Sequence, residues 1–284
     1  MATTDGHEAP PTLLQLAHAL GRPPRAYAIL GEGNVSLRLD DGTFLVKASG
    51  ASLAAATAAS FVRCDPARVT AILREPPPDD EGIARALAAS RVDGGSAPGR
   101  AAATGSPAPR PSVETGMHAV LLGVAGACCV AHTHPTPVVG ILASQHAEAL
   151  VAGMLFPDQI VVCGAHPLLL PYVDPGVPLA RALATALERH VAMHGAPPKT
   201  IYLRNHGLVA LGRSEAEALA VTDMAVKAAE VLGVALHSGG PRYLPDEEVQ
   251  RIAARTDEHY RQRVLGLHAD DDRIVDRASN EAAS

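Results

Sequence analysis

The sequence predicts an α/β fold in which helices cover a mixed sheet. Three observations support this: apolar residues recur with helical spacing in several segments, short β-favouring runs lie between them, and Asp41-Gly42 separates two alternating runs, as in a two-residue hairpin. With 284 residues, 47% of them hydrophobic, the chain is long enough for one well-buried globular domain. Because hairpins and helix-linked strands occur together, we do not expect a purely parallel, doubly wound sheet.

The individual elements follow in chain order. Residues 12–20 are predicted to form a helix that GRPP ends, and the two hairpin strands come from NVSLRLDDGTFLVKASG. Ser112 is predicted to cap a helix through VETGMHAVLLG, and AGACCVAHTHP then has the composition of a buried strand. The later predictions are a helix at 136–152, a strand at QIVVCG, a helix at 178–194, strands at TIYLR and LVALG, a helix from the Ser214–Glu217 capping box to Leu232, and a helix from 245 to about 267.

The composition of two segments sets them apart from the rest of the predicted domain, which spans residues 1–268. Residues 76–111 contain PPPDD, a short Ala-rich helix candidate and then GGSAPGRAAATGSPAPRP, which is typical of a flexible surface insertion. Residues 269–284 are polar and are predicted to form a disordered tail. Because strand and helix patterns resume on both sides of the insertion, we expect one domain rather than two.

Composition and charge argue against several classes of function. Tryptophan is absent, aromatics make up 3%, and the net charge is −6, so neither base stacking nor phosphate neutralisation is favoured and nucleic acid is not an expected partner. The amino-terminal sequence lacks the pattern of a signal peptide, and no apolar run has the length of a membrane span. Four cysteines without a disulfide-type spacing fit a reducing compartment. We therefore expect a cytoplasmic protein without membrane contact.

Three histidines form the candidate metal site. His132 and His134 lie two residues apart on a predicted strand, so their imidazoles leave the same face, although such a pair is often structural. His206 lies in a predicted turn between Asn205 and Gly207, where its side chain could project over the end of the sheet. Three neutral imidazoles suit Zn²⁺ and also Mn²⁺, Fe²⁺, Co²⁺ or Ni²⁺, with positions left open for substrate oxygens.

Glu114 is the candidate catalytic carboxylate near this site. It lies in the first predicted turn of a helix, where the helix dipole favours a carboxylate whatever its function. Its functional role would be that of a displaceable fourth ligand and general base. His118, one turn later, is interpreted as a core residue or a support for the ligands. The nearby GEGNVS segment lacks the third glycine of a dinucleotide fingerprint and leads into a strand, so a nest for a substrate oxyanion is preferred to nicotinamide binding.

The ordered motifs GNVS, KASG, PSVETGMH, HTHP and NHG resemble those of the class II aldolase/adducin family over roughly residues 12–233. Parts of these sequence segments are similar to those of fuculose-phosphate aldolases and of the aldolase half of rhamnulose-phosphate aldolase/alcohol dehydrogenases. The resemblance implies a three-layer α/β/α sandwich with a mixed, largely antiparallel sheet. It also implies a homotetramer with active sites at subunit interfaces.

The resemblance also implies roles for individual residues. The metal ligands would be His132, His134 and His206, and Glu114 would be the acid/base carboxylate. Tyr172, in LPYVDPG, would act in the site of a neighbouring subunit and donate a proton to the aldehyde oxygen, although an ordinary loop tyrosine is equally compatible with its sequence. The positions that bind substrate phosphate in sugar-phosphate members of the family are matched here by Asn34, Ser49, Gly50 and Ser112.

Three residues depart from that phosphate-binding pattern. Gly31 replaces a threonine, the next residue is the anionic Glu32, and Val113 replaces the second serine of a Ser-Ser-Glu motif. Loss of hydroxyl donors and gain of a carboxylate both disfavour an anionic substrate group.

The resulting functional prediction is a metal-dependent lyase. It would catalyse aldol or retro-aldol cleavage of a sugar-like hydroxy-carbonyl substrate through a metal-stabilised enediolate. A decarboxylase is the main alternative, and family epimerases and dehydratases would use the same chemistry. A non-catalytic, adducin-like scaffold is disfavoured because adducin heads lack the metal histidines that this chain has.

Overall fold

Seven strands build the central sheet of the computed structural model, which describes residues 9–77, 79–92, 109–124 and 126–255. The strands are β1 (Asn34–Arg38), β2 (Phe44–Lys47), β3 (Phe61–Cys64), β4 (Cys129–Thr133), β5 (Leu168–Leu170), β6 (Thr200–Leu203) and β7 (Gly207–Gly212). Their order across the sheet is β3-β2-β1-β4-β7-β6-β5. All neighbouring pairs are antiparallel except β5 and β6, which are parallel. The prediction of a mixed, largely antiparallel sheet is therefore confirmed.

Helices cover both faces of this sheet. They are α1 (Pro11–Gly21), α2 (Pro66–Arg74), α3 (Asp80–Ala89), α4 (Thr115–Leu122), α5 (Thr136–Leu142), α6 (Pro157–Cys163), α7 (Val177–His194), α8 (Glu215–His237) and α9 (Asp246–Ala253). One apolar cluster joins α2, α3, α4 and α7 to the first face, and two others join α1, α5, α6 and α8 to the second. The structure is thus a three-layer α/β/α sandwich, as predicted. No helix within the described ranges is long and apolar enough to cross a bilayer.

Side-chain alternation along β4 determines which layer receives the candidate site. Val130 packs in the cluster that contains α4, whereas Cys129 and Ala131 pack in the cluster on the opposite face. Because neighbouring residues of a strand point to opposite faces, His132 lies on the same side as Val130 and faces the α4 layer. The site therefore forms where the end of β4 meets the amino-terminal end of α4.

Several local predictions are confirmed. The two strands around Asp41-Gly42 form an antiparallel pair, with Ser36 opposite Val46. The predicted helix at 12–20 is α1, and the Ala-rich helix candidate is α3. Ser214 caps α8 by accepting a hydrogen bond from the Glu217 backbone N–H at 3.1 Å. The Gly-rich part of the predicted insertion and the tail lie outside the described residues, so the domain limits stay a prediction.

The strand predicted at QIVVCG is wrong, because residues 157–163 form α6 and the strand β5 follows later. The β-branched residues favoured a strand, but Pro157 fits the first turn of a helix. Gln159 then accepts a hydrogen bond from the Leu155 backbone N–H at 2.8 Å. Ile160 and Cys163, three residues apart, are both buried, which is the spacing of a helix face.

Other boundaries also differ from prediction. The helix expected over 136–152 ends at Leu142 and is followed by a short 3₁₀ helix, Ala147–Leu150, while α8 continues past Leu232 to His237. Ser112 lies two residues before the N-cap of α4, which is Glu114 itself. No element was predicted between 51 and 75, where the structure has β3 and α2. The predicted final helix corresponds to α9, and residues beyond 255 are outside the described part of the chain.

Candidate metal centre

The end of strand β4 supplies His132 and His134. His132 is fully buried and lies opposite Val209 of β7. The strand ends at Thr133, so His134 is just beyond it, where its backbone N–H donates to the Tyr27 carbonyl at 2.8 Å. Both imidazoles still point to one place, because their Nε2 atoms are 3.1 Å apart.

The turn between β6 and β7 supplies His206. Leu203 and Gly207 are paired across this turn, and the His206 backbone N–H donates to the Leu203 carbonyl at 3.0 Å. Asn205 has a φ of 54°, a left-handed conformation that Asn tolerates better than most residues. Because β7 also pairs with β4, this tight turn brings His206 directly beside the end of β4.

The three imidazoles converge on one point. One nitrogen from each of His132, His134 and His206 lies within 4.8 Å of the others, and the ring centroids are 4.8, 4.9 and 5.2 Å apart. Ligand atoms around one ion bonded at about 2 Å would be separated by roughly 3 to 4 Å, so only small rotations of the rings are required. Within the described ranges, no other set of three His, Cys, Asp or Glu residues has this geometry.

The tautomer of His132 suits metal binding. Its Nδ1 lies 3.0 Å from the Leu208 carbonyl oxygen, which can only accept, so Nδ1 carries the proton in the neutral ring. The lone pair is then on Nε2, the atom that faces the other two histidines.

Burial lowers the pKa of His134 to about 3, and His132 and His206 act in the same direction. His134 therefore stays unprotonated and able to act as a ligand near neutral pH.

Glu114 lies beside the three rings, at the amino-terminal end of α4. Its Oε1 is 3.5 Å from His132 Nε2 and 3.2 Å from His206 Nε2. Burial alone would raise the pKa of Glu114, but His132 and His206 outweigh it and hold that pKa well below its usual range. The carboxylate is therefore ionised, close enough to complete a ligand set and close enough to exchange a proton with a bound substrate.

Two hydrogen bonds between β1 and α4 hold Glu114 in place. Asn34 Nδ2 donates to Glu114 Oε2 at 2.5 Å, and Ser36 Oγ lies 2.7 Å from His118 Nδ1. Asn34 and Ser36 are two residues apart on a strand, and Glu114 and His118 are four apart on the helix, so each pair shares one face. His118 therefore links α4 to β1 and does not belong to the cluster of three imidazoles, in line with its interpretation from sequence.

Of the four predicted substrate-binding residues, Asn34 lies on β1 and is bonded to Glu114, whereas the other three lie on two adjoining segments. Ala48 pairs with Pro111, and the Ser49 backbone N–H donates to the Arg110 carbonyl at 2.9 Å. Ser49 and Gly50 are exposed, whereas Ser112 is buried and its hydroxyl accepts from the Glu114 backbone N–H at 3.3 Å. Their role in binding substrate stays a prediction.

Sequence reasoning missed Lys47, which is only 1% exposed. Its Nζ donates to the carbonyls of Gly31 at 2.9 Å and Ala51 at 2.6 Å, joining the loops before β1 and after β2. Burial lowers its pKa, against the opposing effect of Glu114. A lysine that immediately follows three apolar strand residues was the available signal, since lysine is seldom buried without partners.

Tyr172 does not lie in the cluster of the three imidazoles and Glu114. Its side chain is 56% exposed, and its hydroxyl donates to Asp174 Oδ1 at 2.9 Å. The same loop reaches the segment before α4, since a Cβ at Gly176 would be 3.8 Å from the Val113 carbonyl oxygen. Because the predicted role of Tyr172 is in the site of a neighbouring subunit, the contacts within this chain do not test it, and it stays a prediction.

Gly207 is required by the close approach of β4 and β7 at this site. A Cβ there would be 2.5 Å from the Thr133 carbonyl oxygen and 2.6 Å from His134 Cδ2. We therefore expect Gly207→Ala to destabilise the fold by about 1–3 kcal/mol and to weaken metal binding. Urea unfolding and metal titration measure both effects. Gly233→Ala, on α8 where a Cβ meets no atom within 4 Å, is the matched control and should not lower stability.

Comparison with known proteins shows the family to which this chain belongs. Residues 15–232 match the family model described as the Class II Aldolase and Adducin N-terminal domain. The chain belongs to the class II aldolase and adducin family. Divalent-metal use in class II aldolases is compatible with the three-histidine cluster. No curated protein gives a significant match to this sequence.

Solved structures of class II aldolases share the fold. One L-fuculose 1-phosphate aldolase has a TM-score of 0.62 at 19% identity, covering 87% of this chain and 97% of its own. YgbL of Escherichia coli, described with the alternatives aldolase, epimerase and decarboxylase, has a TM-score of 0.60 at 21% identity over 85% and 96%. The N-terminal class II aldolase domain of a Thermoplasma acidophilum protein gives 0.57 at 24% over 81% and 96%.

Proposed function

We propose that this protein is a divalent-metal lyase that reversibly cleaves a carbon–carbon bond in a sugar-like hydroxy-carbonyl compound. The convergence of three imidazoles and one ionised carboxylate on a single point is the observation that carries this proposal. Family membership supports a lyase-like enzyme, and the L-fuculose 1-phosphate aldolase structure provides one precedent for the reaction on this fold. Carbohydrate metabolism is the corresponding physiological setting.

His132, His134 and His206 would hold the metal, with Zn²⁺ as the preferred ion. Such a cation supplies a Lewis acid that polarises a substrate carbonyl and stabilises negative charge on its oxygen. Glu114, held by Asn34, would take and return the proton at the substrate hydroxyl or at the adjacent carbon. Exposed Ser49 and Gly50 would orient the distal part of the substrate together with Ser112.

A decarboxylase is the second candidate, and the YgbL structure, whose description includes decarboxylase among its alternatives, supports keeping it. Aldol cleavage needs a group that exchanges a proton with the aldehyde oxygen, whereas loss of carbon dioxide does not. Decarboxylation uses the same stabilisation of charge on a carbonyl oxygen, so the same histidines and Glu114 would serve it.

One set of assays separates the two reactions. Purified metal-loaded protein is incubated with aldols and with β-keto or hydroxy acids while aldehyde and carbon dioxide are measured. For an aldolase we expect aldehyde release, and Tyr172→Phe should lower kcat by about 10²-fold or more because a proton donor is lost. Carbon dioxide release with an unchanged Tyr172→Phe variant would establish the decarboxylase instead. Absence of bound metal after purification without chelators would instead support a non-catalytic, adducin-like scaffold.

The remaining expectations concern assembly and location. A homotetramer with Tyr172 completing the site of a neighbouring subunit stays a prediction that sedimentation equilibrium checks. The cytoplasm stays the predicted location.

A further inference from the structure

Glu32 is a charged residue beside the metal centre to which the proposed function gives no role. It belongs to the loop between α1 and β1, and its Oε2 lies 4.0 Å from Nδ1 of His134. That nitrogen is on the side of the ring away from the cluster, because Nε2 is the atom that faces His132. The carboxylate therefore stands behind a candidate ligand rather than among the ligands.

The loop that carries Glu32 is tied to the site at several points. The His134 backbone N–H donates to the Tyr27 carbonyl at 2.8 Å, and Lys47 Nζ donates to the Gly31 carbonyl at 2.9 Å. Glu32 itself is bonded to Ile29 twice: its Oε2 accepts from the Ile29 N–H at 3.0 Å, and its own N–H donates to the Ile29 carbonyl at 3.0 Å. These contacts hold the loop, and with it the Glu32 carboxylate, near His134.

Backbone strain is concentrated around the same rings. In the described part of the chain, three residues other than glycine have positive φ, and Ala26 (45°) and Leu30 (51°) are both in the Glu32 loop. The third, Asn205, precedes His206. Left-handed backbone is unfavourable for Ala and Leu, and such strain persists where the surrounding contacts enforce it. The folded state therefore includes an unfavourable backbone conformation in the loop that lies against His134.

The outer nitrogens of the three histidines are partnered differently. Nδ1 of His132 is directed at the Leu208 carbonyl at 3.0 Å, whereas Nδ1 of His206 is buried without a hydrogen-bond partner in the described structure. Nδ1 of His134 faces Glu32. Metal-bound histidines usually donate the second ring N–H to a carboxylate or carbonyl, which fixes the ring and makes it a better donor to the metal.

We propose that Glu32 is the positioning residue of His134: its carboxylate accepts a hydrogen bond from the Nδ1–H of His134 and thereby strengthens metal binding by Nε2. This rests on the proposed metal site. At 4.0 Å the contact is longer than a hydrogen bond, and closing it requires a movement of about 1 Å of a partly exposed carboxylate, which would lengthen the bond from the Ile29 N–H to Oε2. This positioning role of Glu32 is separate from the effect of its carboxylate in disfavouring an anionic substrate group.

The test measures Zn²⁺ affinity by competition with a chromophoric chelator, for wild type, Glu32→Gln, Glu32→Ala and the exposed-residue control Glu188→Gln. We expect Glu32→Ala to weaken Zn²⁺ binding by about 10- to 100-fold, with Glu32→Gln between it and wild type because the amide oxygen can still accept. Glu188→Gln should match wild type. Thermal unfolding of the metal-free Glu32→Gln variant should be unchanged, because the amide oxygen can still accept from the Ile29 N–H, and this comparison separates positioning from folding.

Two results overturn the inference alone: Glu32→Ala binding Zn²⁺ within about twofold of wild type, or Glu32→Gln weakened as much as Glu32→Ala, which would leave only a charge effect. A wild-type protein that does not bind Zn²⁺, Mn²⁺, Fe²⁺, Co²⁺ or Ni²⁺ overturns the proposed function together with it. The two failures are therefore distinguishable in one experiment.

Discussion

His132→Ala is expected to abolish stoichiometric metal binding and to lower kcat/KM by roughly 10³-fold or more, since a bound cation supplies several kcal/mol of transition-state stabilisation. His132 is the central ring of the cluster, in contact with both other histidines and with Glu114. Metal content by mass spectrometry and turnover with the substrate found in the assays measure the two effects.

Because His132 is fully buried and bonded to the Leu208 carbonyl, its removal also affects packing. His206→Ala is therefore the second variant: its Nδ1 has no partner in the described structure, so truncation removes no hydrogen bond there. It should lose the metal with less effect on stability. His146→Ala, at an exposed position outside the cluster, is the control. Retention of both metal and full turnover by His206→Ala and His132→Ala would refute the metal centre.

Glu114→Gln is expected to lower kcat by about 10²- to 10⁴-fold, because the amide keeps the shape of the side chain and cannot exchange the proton. Asn34 can still donate to the amide oxygen, so the position of the side chain is maintained. The three histidines remain, and metal content should stay near one ion per chain. The loss should therefore appear in kcat at full metal occupancy.

The control for this variant is Glu81→Gln, which removes an exposed carboxylate that is paired with Arg85 on α3. It should leave kcat, KM and metal content unchanged. If Glu114→Gln turned over at a rate within about threefold of wild type, general acid/base catalysis by Glu114 would be ruled out. If it lost its metal as completely as His132→Ala, Glu114 would be reassigned as an essential ligand.

The sequence predicts most strongly the features that depend on neighbouring residues. Asp41-Gly42 specifies a hairpin through local turn geometry, and the spacing of His132 and His134 places them on one face. These two predictions succeed because the relevant physics acts within a few residues. The place of His206 in a tight turn showed only that its side chain could project over the end of the sheet, and the family resemblance implied that it joins the other two histidines.

Contacts between segments that are distant in sequence were harder to predict. Asn34 holds Glu114 across 80 residues, and Lys47 joins two loops whose proximity is decided by the sheet. The β-branched residues of α6 favour a strand until helix packing and Pro157 are taken into account. Glu32 could be described from sequence only as an added negative charge, since its neighbour His134 is brought near by the folded loop.

His132 lies in the antiparallel ladder between β4 and β7, His134 directly follows β4, and His206 lies in the turn that leads into β7. The backbone positions of the three imidazoles are therefore tied to paired strands in the middle of the sheet rather than to a free loop, and an ion of a different radius would be accommodated by rotation of the rings. Ion selection by such a frame should be governed by ion size and preferred geometry.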